Sequence, residues 1–209
     1  MAKCDESMMA MTVAEFIAAT ADKTPTPGGG SVAGVVGGLA AALGEMALAF
    51  TRGKKKFAEH EPFYAHLAQR LAKARGMFQD LVADDVAAYG LYQDAARRED
   101  GADKAGAVQL ALAAAIDVPR QAGKLALALM EDLLALAPRC NPYLISDLTA
   151  AAALAAATVR LCDYNVRVNV PQVADKAAAE DIRSGSAADL AAAEKLLARV
   201  EETARQWLP

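Results

Sequence analysis

The chain has 209 residues, of which 55% are hydrophobic, enough material for one buried core and, at this length, one domain. Alanine supplies much of the apolar fraction and aromatic residues only 5%, a composition that favours close-packed helices and argues against sheets. A formal net charge of −4 and a pI near 5.3 argue against nucleic acid as the main partner and leave a small molecule as the expected one.

The first fifteen residues carry Lys3, Asp5, Glu6 and Glu15 with no apolar run of signal-peptide character, so a cytoplasmic location is expected. Thr12 with Glu15 three residues on forms a capping-box pattern that predicts a first helix, ending before Pro25. The run Thr24-Pro25-Thr26-Pro27-Gly28-Gly29-Gly30-Ser31 first stiffens the backbone and then frees it. Ser31 is read as the cap of a second helix to about Thr51, stopping near Gly53. That helix is almost wholly alanine, glycine and other apolar residues. Its composition predicts a core helix packed on all sides rather than a membrane span, since small residues dominate it and Glu45 interrupts it. Arg52, Lys54, Lys55 and Lys56 cluster at its C-terminal end, where cations complement the helix dipole.

After Pro62 an amphipathic pattern through Leu67, Leu71, Met77, Phe78, Leu81, Val82 and Val86 predicts a long third helix to about Tyr92. The charged run Arg97 to Asp100 with Gly101 reads as a loop. A fourth helix follows from near Asp103 to Leu136, with a kink expected at Pro119. Pro138 and Pro142 bracket a short connection. A fifth, nearly charge-free helix runs from about Ser146 to Val168, ending before Pro171, and a final amphipathic helix from about Ala187 to Gln206. The prediction is an all-α, single-domain bundle of long antiparallel helices, two of them rich in alanine and glycine and buried. Two such apolar helices need more cover than a small bundle gives, so a homodimer with helix two or helix five near the interface is expected.

Cys4, Cys140 and Cys162 show no C-x-x-C spacing and leave one cysteine over in any disulfide scheme, which fits a reducing compartment. His60 and His66 lie in no zinc-binding pattern, so no metal site is expected. Polar residues inside apolar helices are the informative ones, because burying them unpaired is costly. Asp85 and Tyr89, and again Asn165 and Asn169, stand four apart on one helix face. Ser146 and Asp147 open helix five, where capping is an equal alternative. Asn141 precedes Pro142 in a position that turn geometry alone favours.

Taken in order, Pro27-Gly28-Gly29-Gly30-Ser31, Gly53-Lys54-Lys55-Lys56-Phe57, Asp85 through Ala88-Tyr89, Val118-Pro119, Asn141 with Ser146-Asp147, and Asn165-Val166 with Val168-Asn169 span nearly the whole chain. In this order and spacing the sequence resembles the cyclodeaminase/cyclohydrolase family that acts on one-carbon-substituted tetrahydrofolate. Arg120 departs from the leucine-like residue often found after the proline. The resemblance implies an all-α, dimer-forming domain and a folate substrate with no bound cofactor, and leaves the reaction open; with no formiminotransferase domain attached, hydrolysis of 5,10-methenyltetrahydrofolate is the expected one. The alternatives are ring closure of formimino-tetrahydrofolate with loss of ammonia, and a non-catalytic helical scaffold. It further implies a catalytic set of Asp147, Asp85, Lys54 and Lys56, with Asp147 the first choice as proton acceptor. The implied substrate-binding set is Gly28, Gly29, Gly30, Ser31, Lys55, Tyr89, Asn141, Ser146, Asn165 and Asn169.

Overall fold

The computed structural model describes residues 8–205 and 207. Cys4 lies outside the described residues, as do Lys3, Asp5, Glu6 and Gln206. Every long element is a helix, and the helix starts follow local chemistry. Helix α1, Val13–Ala21, opens with the reciprocal capping box: Thr12 Oγ1 accepts from the Glu15 N–H at 3.2 Å, and the Thr12 N–H donates to Glu15 Oε2 at 2.7 Å. Helix α2, Gly29–Ala49, starts two residues before the predicted serine cap. Gly28 is the extended N-cap residue, so Ser31 falls inside the first turn and its hydroxyl is available to another helix.

Helix α3, Glu61–Ala96, and helix α4, Ala102–Leu136, are the two longest elements. The backbone of α4 continues through the buried Pro119. Helix α5, Ile145–Asn169, is not capped by Ser146 or Asp147. Both lie within its first turn, and Leu144 is the N-cap residue without a side-chain bond. Helix α6, Lys176–Ala204, starts eleven residues before the predicted point, because Asp175 caps it by accepting from the Ala177 and Ala178 N–H groups at 2.9 and 3.1 Å.

Helices α2 to α5 form an antiparallel four-helix bundle in which α2 and α4 each pack between α3 and α5, and α6 lies along α4 and α5. The core is filled by Tyr64, Leu67, Leu71, Phe78, Met130, Leu133 and Leu148, with small residues on α2 and α5. Packing of α2 on α3 depends on missing side chains. A Cβ on Gly34 would stand 2.6 Å from Val82 Cγ2, and one on Gly37 would stand 2.5 Å from the Phe78 ring. With Gly30 these positions form one helix face, i, i+4 and i+7, against Asp85, Val82 and Phe78 on the antiparallel α3.

Two ends of the bundle follow from this topology. At one end stand the α2 start, the late turns of α3 and the last turns of α5. At the other, the α2 end is latched to the α4–α5 connection. The Asn141 N–H donates to Thr51 Oγ1 at 2.9 Å, Asn141 Nδ2 donates to Phe50 O at 3.1 Å, and Asn141 Oδ1 accepts from the Tyr143 N–H. The expectation that α2 is packed on all sides is corrected. Leu39 and Phe50 are 55% and 57% exposed, and with Tyr164 and Val168 of α5 they give the outer α2 and α5 surfaces an apolar character. By length and composition the segments Gly29–Ala49 and Pro142–Gln172 are both apolar enough to cross a membrane, yet each supplies buried residues to the bundle core.

Candidate active site

Between α3, α4 and α5, beside the start of α2, lies a cavity of about 220 Å³. Its lining is Asp85, Ala88, Tyr89 and Tyr92 from α3, Ala115 from α4, Asn165 and Asn169 from α5, and Gln172 from the turn that follows. Asp85 is the only charged lining residue. Its Oδ2 accepts the Ser31 hydroxyl at 2.8 Å, and the α2 backbone closes on it so tightly that a Cβ on Gly30 would stand 1.9 Å from Oδ1. Burial pushes the Asp85 carboxyl above the ordinary carboxylate range, while the Ser31 hydroxyl and backbone N–H pull it part of the way back.

The asparagines are oriented by their own helix. Asn165 Nδ2 donates to Leu161 O at 2.8 Å, and Asn169 Nδ2 donates to Asn165 O at 3.0 Å and Ala115 O at 3.4 Å. With both amide nitrogens committed to backbone carbonyls, the Oδ1 atoms remain as acceptors. Gly29 abuts the Asn165 amide, at 3.5 Å from a Cβ placed there. The opening N–H groups of α2 have no partner within their own helix. The helix start is thus a pair of glycines touching Asp85 and Asn165, with its dipole end toward the same space. At the mouth Tyr92 OH donates to Gln172 Oε1 at 3.3 Å, and the Gln93 amide donates to Tyr89 OH at 3.1 Å.

Of the expected residues, Gly29, Gly30, Ser31, Asp85, Tyr89, Asn165 and Asn169 come together, with Gly28 as the adjoining cap residue. Lys54, Lys55, Lys56, Asn141, Ser146 and Asp147 do not join them. They stand at the opposite end, where the three lysines are exposed and the Asn141 amide is occupied by the latch. From Asp147 to Asn165 is eighteen residues along α5, about 27 Å at helical rise. Within one chain, therefore, Asp147 and Asp85 do not serve the same cavity. Tyr92, Gln172 and Ala115 were not expected. Tyr92 extends the Asp85, Tyr89 face to i+7, and the Ala115 carbonyl lies four residues before Pro119; both are readable signals.

Asp163 turns away from the cavity toward α6, where it is buried and accepts the Ser186 hydroxyl at 2.8 Å. Behind the cavity, Cys162 is buried and its thiol is pushed up to about 12 by desolvation, with the Asp85 charge adding to the rise. Among the described residues no three His, Cys, Asp or Glu side chains stand close enough to hold a metal ion.

An antiparallel helical bundle with an acceptor-rich cavity at a glycine helix start defines a class of small-molecule site, and comparison with known proteins gives it a family. The formiminotransferase-cyclodeaminase model matches residues 12–188, and the chain belongs to that family. It is 35% identical over 204 residues to a methenyltetrahydrofolate cyclohydrolase of Methylorubrum extorquens, covering 93% of this chain and 96% of that protein. It is 27% identical to the formimidoyltransferase-cyclodeaminase of Gallus gallus, of which it spans 33%. The fold superposes on the formiminotetrahydrofolate cyclodeaminase of Thermotoga maritima with a TM-score of 0.85 at 30% identity, covering 96% of this chain and 99% of that one.

Proposed function

We propose that the chain hydrolyses 5,10-methenyltetrahydrofolate to 10-formyltetrahydrofolate in one-carbon metabolism. The observation that carries this reading is the cavity itself: a half-buried carboxylate, two asparagine oxygens and no lining cation, beside a helix start. Such a site suits a substrate whose reacting carbon belongs to a cationic amidinium. Asp85, paired with Ser31, takes a proton from a water as that water adds to the amidinium carbon. The resulting carbinolamine collapses when the same carboxyl returns its proton to the departing ring nitrogen while the carbinol hydroxyl gives up its own proton to solvent water, so the substrate's positive charge leaves as one proton and the formyl group stays on the other nitrogen. Residue Asp85 thus acts in turn as base and acid, help typically worth about 10²–10⁴-fold. The α2 N–H groups stabilise the oxygen as it loses its proton, and Asn165 and Asn169 hold the water or the ring amides. The test is loss of methenyl absorbance above the uncatalysed rate, with ammonia release from formimino-tetrahydrofolate assayed separately. Wild-type protein that accelerates neither reaction overturns the reading.

We further propose a cytoplasmic homodimer in which the apolar outer faces of α2 and α5 are covered by a second copy. A two-fold antiparallel pairing of α2 brings the Lys54–Lys56 turn of one copy toward the α2 start of the other, where the lysines meet the glutamate carboxylates of the substrate. Asp147 travels with that end and takes a positioning role there. Tagged heterodimers of Asp85→Asn with a Lys54→Ala, Lys55→Ala, Lys56→Ala chain test this: a shared site leaves one of two sites native and about half the kcat/KM per dimer. Activity no higher than that of the parent variants, or a monomeric mass at assay concentration, refutes the arrangement.

A further inference from the structure

Proline 119 sits in the interior of α4, where its ring removes a backbone N–H and is among the most costly of substitutions for a helix. The carbonyl left without its helical donor is that of Ala115, four residues earlier, and Ala115 lines the cavity. From outside α4, only Asn169 Nδ2 reaches this oxygen among the described residues, at 3.4 Å, and the same amide makes its shorter bond, 3.0 Å, to Asn165 O. An unpaired buried carbonyl is costly, and a carbonyl has two lone pairs. Here one is met weakly by the Asn169 amide, and Ala115 belongs to the lining of the cavity that holds Asp85.

We propose that Pro119 releases the Ala115 carbonyl to serve as a substrate-binding group, accepting an N–H from the aminopyrimidine edge of the pterin ring. This rests on the folate reading above and gives the bound ring an acceptor on α4 in addition to those on α3 and α5. The long contact from the Asn169 amide yields easily to a better donor. Because the released carbonyl belongs to the main chain, no side-chain inspection would reveal it.

The experiment uses the full-length protein and two inhibitors: a folate analogue with the 2-amino group and its counterpart with a 2-methyl group. Wild-type protein is expected to bind the amino compound about 10-fold more tightly than the methyl compound, the effect of one good hydrogen bond. Pro119→Ala returns the N–H, closes the helical bond and is expected to reduce that preference to under about 3-fold while the melting temperature rises. Pro119→Val repeats the test with the ring volume nearly kept. Folded variants that retain the full preference overturn the inference, as does a preference that falls together with the melting temperature. Wild-type protein that binds neither compound brings down the folate reading and this inference with it.

Discussion

Replacing Gly30 by alanine tests the junction of fold and chemistry most sharply. A Cβ there would stand 1.9 Å from Asp85 Oδ1, 2.5 Å from Cγ and 2.8 Å from Oδ2. Ordinary carbon–oxygen contact needs more than 3 Å, so something must move by over about 1 Å. If the carboxylate withdraws, its 2.8 Å bond from Ser31 is broken; if α2 withdraws, the close fits of Gly34 on Val82 and Gly37 on Phe78 open with it. Overpacking of this kind costs about 1–3 kcal/mol, partly offset by up to about 1 kcal/mol of better helix propensity. Catalysis suffers more, because misplacing a reacting group by about 1 Å costs on the order of 10²-fold. The assay is kcat/KM from the loss of methenyl absorbance, read beside a thermal melt. Gly29→Ala is the internal control, since its Cβ would sit 3.5 Å from the Asn165 amide in ordinary contact. Gly30→Ala protein with kcat/KM within threefold of wild type would refute the reasoning.

Asp85→Asn is expected to lower kcat by at least about 10²-fold. Its stability effect has a defined sign. The folded carboxyl titrates above its unfolded value, so its stabilising contribution is present below the unfolded pKa and lost as pH rises through the folded one. The asparagine variant should therefore melt above wild type at neutral pH by a margin that shrinks in acid, and a margin that grows in acid contradicts this. Ser31→Ala removes a bond that lowers the Asp85 pKa, so the acid limb of the kcat/KM profile should move to higher pH; an unmoved limb would separate Ser31 from the titrating group. Cys162, buried with its thiol near 12, should resist thiol reagents at pH 8 in native protein and react at the free-thiol rate only in denaturant, followed by mass spectrometry. Thr51→Val deletes the acceptor of the Asn141 N–H in the latch and should cost about 1–3 kcal/mol in chemical denaturation while kcat stays unchanged.

The helices were legible because proline and glycine punctuate this chain at nearly every boundary. The early start of α6 was missed because Ser184-Gly185-Ser186 reads as a break, whereas the Ser186 hydroxyl is taken up by the buried Asp163 and the turn stays helical. The exposed side of α2 was missed for another reason: a face of alanine, valine and leucine reads the same whether its own chain covers it or not. At the candidate site, the spacing of Asp85 with Tyr89 and of Asn165 with Asn169 placed those residues on shared faces, and the cavity unites them. Within one chain Asp147 and Asp85 stand at opposite ends of the bundle, which order along the chain does not reveal; counting helical turns along α5 does. Tyr92 and Gln172 were overlooked because neither interrupts an apolar run, the signal by which the others were chosen.

The glycine face of α2 carries a consequence for acidity. Asp85 is shielded from water in part by the bare backbone of a helix lying against it. Its proton affinity is therefore a function of the gap between two helices, and that gap is set turns away, where the Phe78 ring fills the hollow at Gly37. A substitution at Phe78, far from any reacting atom, would retune the working pH of the enzyme without touching its chemistry.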